Sequence, residues 1–162
     1  MEQVNHPRHY NTRKDNLECI DIIRHYTFDV GCAVKYLWRA GQKEDIGRPM
    51  REKEIEDLEK ALWYIGDELY FGIDRDGFAG MVREEEGDLE DMLYGLTDKT
   101  FDDIASKKYY EEHVANAMFY LLHVGLVNDR YVYRTKDAVP KLRAAMGEIQ
   151  ERIEDLKKAM GK

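Results

Sequence analysis

The stretch REKEIEDLEKALWYIGDELYF, residues 51–71, decides the fold. Its apolar residues Ile55, Leu58, Leu62, Ile65 and Leu69 recur at spacings of three, four, three and four, the period of an α-helix with one buried face. Working outward, Lys136 to Met160 repeats the pattern: Val139, Leu142, Met146, Ile149, Ile153, Leu156 and Met160 alternate by three and four. Such a seam needs a helical partner, either within the chain or on a second subunit. Lys107 to Val127 predicts a further helix with Tyr110, Val114, Ala117, Leu121 and Val124 inward. Before residue 51, the spacing predicts one helix over Val30 to Gly41, closed by a glycine suited to a left-handed cap. A shorter one over Leu17 to Tyr26 is expected to be capped by Asn16, with Leu17, Ile20 and Ile23 inward and Glu18, Asp21 and His25 opposite. The expected fold is all-α, with a helical core and a C-terminal helical extension.

Breaks fall at QKEDIGRPM (42–50), GIDRDGFAG (72–80) and NDRYVYRT (128–135). EEEGDLEDMLYGL (84–96) reads as a weaker helix, TDKTFDDIAS (97–106) as a turn plus one helical turn, and RYVYR (130–134) has brief strand-like alternation. The division expected is residues 1–75, a helical region with an N-terminal loop, and residues 76–162, an extension packed on it or used for oligomerisation.

Composition narrows the function. The 162 residues are 43% hydrophobic and 36% charged, too apolar for a disordered chain and too charged for a membrane one. The longest apolar run, Ala117 to Leu122, is far short of the roughly 20 residues that span a bilayer. No apolar leader opens the sequence, so a cytoplasmic location without a membrane partner is expected. Cys19 and Cys32 have no CxxC spacing, so neither a disulfide framework nor a zinc site is implied. A net charge of -8 argues against nucleic acid as a partner. Residues 1–51 nevertheless carry a small positive surplus while the remainder is strongly acidic, which places any small anionic ligand on the N-terminal third.

Candidate chemistry lies there. Lys35, Arg39 and Lys43 recur every four residues, and no acid one turn away on the same helix relieves them, so the stripe is either a solvated basic face or a phosphate site. The loop NHPRHY (5–10) offers Asn5, His6, His9 and Tyr10, groups that contact phosphate, sugar or base. Lys60, Trp63 and Tyr64 lie away from the leucines of the 51–71 helix, as a ligand face or a second packing surface. Glu18 and Asp21 form a carboxylate pair able to hold Mg2+ or accept a sugar hydroxyl. No GxxxxGK[ST], GxSxG, HExxH or GxGxxG motif is present.

In order, VNHPRHY (4–10), ECIDII (18–23), GCAVKYLWRAGQK (31–43) and EDLEKALWYI (56–65) resemble the phage nucleotide kinase family, whose pattern is VNHPxHY, ECID, GNxxKYxxRxGxK and DLxKAxxY. The likeness covers residues 4–71. It implies deoxynucleoside monophosphate kinase activity without a P-loop, a nucleoside triphosphate as donor, nucleotides as partners, a homo-oligomer and a phage or prophage setting. The residues it points to are Asn5, His6, Pro7, His9, Tyr10, Glu18, Asp21, Gly31, Lys35, Tyr36, Arg39, Gly41, Lys43, Lys60 and Tyr64. One departure is Cys32, where the family has Asn, which removes an amide donor and acceptor. The expected roles are phosphate screening by Lys35, Arg39 and Lys43, closure by His6 and His9, base stacking by Tyr10 or Trp63, and Asp21 or Glu18 as general base.

EEEGDLEDML (84–93) is similar to a segment of MazG-like nucleotide pyrophosphohydrolases. That likeness implies a Mg2+ cage in which Glu85 and Asp88 supply the ExxD pair, with Glu52 and Glu56 standing in for the EExxE set. A protein that sequesters nucleotides without turnover is the non-enzymatic alternative.

Overall fold

The computed structural model describes residues 13–14, 17–42, 46–72, 101–124 and 135–162, the side chains of 101–102 and 135–137 excepted. Every element among them is helical: α1 (Cys19–Ile23), α2 (Phe28–Arg39), α3 (Met50–Asp67) continued by a π-helical turn (Glu68–Gly72), α4 (Phe101–Ile104), α5 (Glu112–Leu122) and α6 (Thr135–Ala159). The all-α expectation is met. None of these helices is long and apolar enough to cross a membrane.

The 51–71 periodicity translates into packing. Leu58, Ala61 and Ile65 are fully buried, and Ile55, Leu62 and Leu69 pack on the same core at its edge. On α2 the buried side is Val30, Ala33, Val34, Leu37 and Trp38, as its spacing predicts. The helices are antiparallel: Thr27 meets Glu68, Arg39 meets Asp57, and Gly41 meets Glu54. Gly41, just past the end of α2, has φ +71°, a left-handed conformation that favours glycine, and lies close to the Glu54 carboxylate, a Cβ there standing 3.3 Å from Oε2. Glu54 in turn accepts from Arg152 Nε at 2.8 Å, which fastens α6 to α3.

Three boundaries differ from expectation. The cap of α1 is Glu18, not Asn16; the Glu18 N–H donates to Asp21 Oδ2 at 3.3 Å, and only five residues are helical. Tyr26 ends that segment by donating its hydroxyl to Leu122 O at 2.7 Å, and the inward residues become Leu17, Cys19, Ile22 and Tyr26. Ile20 therefore faces solvent and His25 is buried, the reverse of the expected sides. Helix α5 begins at Glu112, because residues 106–110 turn and Glu111 caps the helix by accepting from the N–H groups of His113 and Val114. The segments 84–96 and 130–134 lie outside the described residues.

The seam of α6 is internal. Leu142, Ile149, Ile153 and Leu156 are buried against α5 and α3, with Val139 and Met146 at the edge of the same core. An oligomer would have to use another surface. Ile153→Glu should therefore lower stability by more than about 3 kcal/mol, because a charge enters an apolar interface, while the solution mass stays unchanged. Urea unfolding with light scattering checks this, and dissociation of a larger particle at unchanged chain stability would contradict it.

Candidate functional site

The antiparallel pairing of α2 with α3 gathers four other sequence candidates, two from each helix, around the ring of Tyr36. Around Tyr36, the Lys35 ammonium lies 4.9 Å, the Arg39 guanidinium carbon 4.6 Å and the Lys60 ammonium 5.7 Å from the ring centroid. Tyr64 stacks on Tyr36 with centroids 5.8 Å apart and planes 18° from parallel. Trp63 and Phe28 meet Tyr64 edge-on at 5.0 and 6.0 Å. Trp63 is 63% and Phe28 75% exposed, so the aromatic face continues into solvent. Cations over aromatic faces are attracted by the ring quadrupole and remain able to meet an anion from outside.

Arg39, read in the sequence as one cation of a basic stripe, belongs to a buried network. Arg39 is only 8% exposed, and its Nη2 donates to Asp57 Oδ1 at 2.7 Å. The acid absent from α2 comes from α3. Lys53 Nζ donates to Asp57 Oδ1 and to Glu56 Oε1, each at 3.1 Å, and Asp57 Oδ2 is buried without a hydrogen-bond partner. Glu56 also accepts from Lys60 and, at 2.6 Å, from Arg48. Its carboxyl is held down to about 2, by Lys60 first, then Lys53 and Arg48. The same Glu56 bond raises the Lys60 pKa. Among the described residues these four cations meet two carboxylates, and Lys35 meets none.

Cys32, the departure from Asn, lies near Tyr64; burial raises the pKa of both groups, so neither is a ready nucleophile. Gly31 beside it lets α1 approach, since a Cβ would stand 3.1 Å from Ile23 O. Glu18 and Asp21 serve the start of α1, where Asp21 also pairs with Arg24 at 3.3 Å. Glu52 lies 3.6 Å from Lys162, and Glu56 is committed to its cations, so these two carboxylates face ammonium groups and not each other. Asn5, His6, Pro7, His9, Tyr10, Lys43, Glu85 and Asp88 lie outside the described residues. A separate depression of about 290 Å³, lined by Lys14, Gln42, Lys108 and Tyr109, lies at the small end of the range for ligand pockets.

Asp57 and Lys53 were not singled out in the sequence. A signal existed for Asp57, which opens the DLEKALWY segment; Lys53 precedes it by one helical turn.

Among the described residues the fold is all-helical, and Lys35, Tyr36, Arg39, Lys60, Trp63 and Tyr64 meet across the α2–α3 pair. Residues 4–66 carry a domain matching the family described as protein of unknown function, DUF3310, a span that holds α1, α2 and nearly all of α3. No curated protein and no solved structure matches the chain.

Asp57→Ala should cost about 3 to 5 kcal/mol, since it removes the carboxylate that buried Arg39 and Lys53 share. Arg39→Ala should also destabilise, and the double variant should fall short of the sum by about 1 to 3 kcal/mol. A denaturant double-mutant cycle measures this, and simple additivity would contradict the coupling.

The Glu56 carboxyl sits below its ordinary 4.5 in the folded chain, so its contribution is present above that value and fades as the pH falls toward 2. Glu56→Gln should lower stability by about 1 to 3 kcal/mol at pH 7, and the difference from wild type should shrink between about pH 4.5 and 2. Unfolding curves at several pH values test the sign.

Proposed function

We propose that the chain binds nucleotides on the Tyr36 face and transfers a phosphoryl group from a nucleoside triphosphate to a deoxynucleoside monophosphate. The observation that carries the binding reading is that the Lys35 and Lys60 ammonium groups gather at the Tyr36–Tyr64 stack, with Trp63 and Phe28 exposed beside it. A nucleotide has an aromatic end and an anionic end, and this face offers a surface for each. Phosphoryl transfer itself is drawn from the resemblance of the four sequence blocks to phage nucleotide kinases.

In this reading Lys35 meets the phosphates first, and Lys60, 41% exposed at its side chain, turns from Glu56 toward them. Arg39 keeps its bond to Asp57 and contributes charge and rigidity from below. The bases stack on Trp63 or Tyr10, and His6 and His9 close over the phosphates. The monophosphate acceptor is already largely ionised at neutral pH, its second pKa being near 6, so an acceptor oxygen attacks the γ-phosphorus without a strong base. The bond from the γ-phosphorus to the β–γ bridging oxygen breaks, and two nucleoside diphosphates result. Asp21 and Glu18 are then not required as bases and can serve the cap of α1. Mg2+ would arrive with the triphosphate and neutralise its oxygens, because Glu56 is already engaged by three cations.

The test incubates the protein with each deoxynucleoside monophosphate plus ATP and Mg2+, and with each deoxynucleoside triphosphate alone, and resolves the products by chromatography. Diphosphate formation is expected. Lys35→Ala should weaken nucleotide binding by about 1.5 to 3 kcal/mol, and Trp63→Ala by about 1 to 3 kcal/mol. Monophosphate and pyrophosphate from the triphosphate would overturn the kinase reading in favour of the MazG-like one, and binding without turnover would leave a sequestering protein.

A further inference from the structure

The second half of the chain holds a cluster that the Tyr36 face does not use. At the start of α5, His113 Nδ1 lies 2.8 Å from Glu148 Oε2 and 3.7 Å from Glu151 Oε2, both on α6. One donor atom from each of the three residues falls within 4.8 Å of the other two. Two atoms bound tetrahedrally to one ion at Zn–N and Zn–O lengths stand about 3.4 Å apart, and the two distances from Nδ1 straddle that value.

The surroundings are those of a metal-binding imidazole. Its other nitrogen, Nε2, is 3.9 Å from Asp155 Oδ2, one helical turn beyond Glu151, where a carboxylate can orient the ring. Asn116 Nδ2 donates to Glu148 Oε2 at 3.2 Å and fixes that carboxylate from α5. Arg152 is drawn away, donating to Glu54 at 2.8 Å and lying 3.6 Å from Glu111, while Lys158 lies 3.6 Å from Asp155 and touches none of the three ligand residues among the described contacts.

We propose that His113, Glu148 and Glu151 bind one divalent first-row metal ion, with Zn2+ the best fit, clipping the start of α5 to the middle of α6. An imidazole nitrogen with two carboxylates suits Zn2+, whereas Mg2+ and Ca2+ prefer all-oxygen shells. Glu151 is 71% exposed at its side chain, so a fourth position remains open to water. Because such an ion binds the folded chain alone, it raises the melting temperature by mass action.

The test is calorimetric titration of the full chain with ZnCl2, paired with thermal melts with and without Zn2+. One saturable site per chain is expected, with affinity falling at least tenfold in His113→Asn and in Glu151→Gln, and with the Zn2+-induced rise in melting temperature lost in both. Glu151 is exposed enough for its variant to fold, so it decides the matter if His113→Asn does not. Absence of saturable binding, or binding and thermal shift unaltered by Glu151→Gln, would overturn the proposal. The outcome is independent of the nucleotide reading, which uses other helices.

Discussion

Asp57 lies fully buried between α2 and α3, and its Oδ1 accepts from Arg39 and Lys53 together. Removing three ionised groups from water is costly, and their mutual attraction offsets that cost only in a narrow geometry. The pairing therefore sets where Arg39 sits on α2 relative to residue 57 on α3. Once that register is fixed, Tyr36 and Tyr64 stack and Lys35 and Lys60 arrive around one ring. The face above the network depends on the ions below it.

The helices were legible because burial leaves a periodic trace. Leu58 and Ile65 on α3, and Leu142, Ile149 and Ile153 on α6, recur at helical spacing and are buried in the structure. Helix α1 was less legible. Five residues make little more than one turn, and there a hydroxyl bond to Leu122 and a local cap outweighed the apolar pattern. Whether the α6 seam faced its own chain was also beyond the sequence, since a three-four spacing describes a partner helix without naming it.

On the candidate face, sequence order supplied the residue types and the fold supplied their meeting. Lys35, Tyr36, Arg39, Lys60, Trp63 and Tyr64 were each readable as ligand groups, yet nothing in their spacing shows that residues 36 and 64 stack. The reading of Arg39 as part of an unrelieved stripe failed for a definite reason: a neighbour search along one helix cannot find an acid on another. Burial of Lys53, Glu54 and Asp57 is equally invisible from periodicity, because charged positions ordinarily mark the solvated side of a helix. The His113 cluster was hidden in the same way, the histidine being 35 or more positions from either carboxylate in the chain.

The central claim is that nucleotides bind on the Tyr36 face. The chain has two tryptophans, Trp38 fully buried on the inner side of α2 and Trp63 exposed on α3, so their indole N–H resonances report two different places. Titration with a deoxynucleoside monophosphate, followed by two-dimensional NMR, is the most direct measurement. The account predicts saturable shifts of the Trp63 indole and of the backbone signals of Lys35, Tyr36, Lys60 and Tyr64, with the Trp38 indole nearly unmoved. Shifts confined to Lys14, Gln42, Lys108 and Tyr109, or no saturable shift at all, would contradict it.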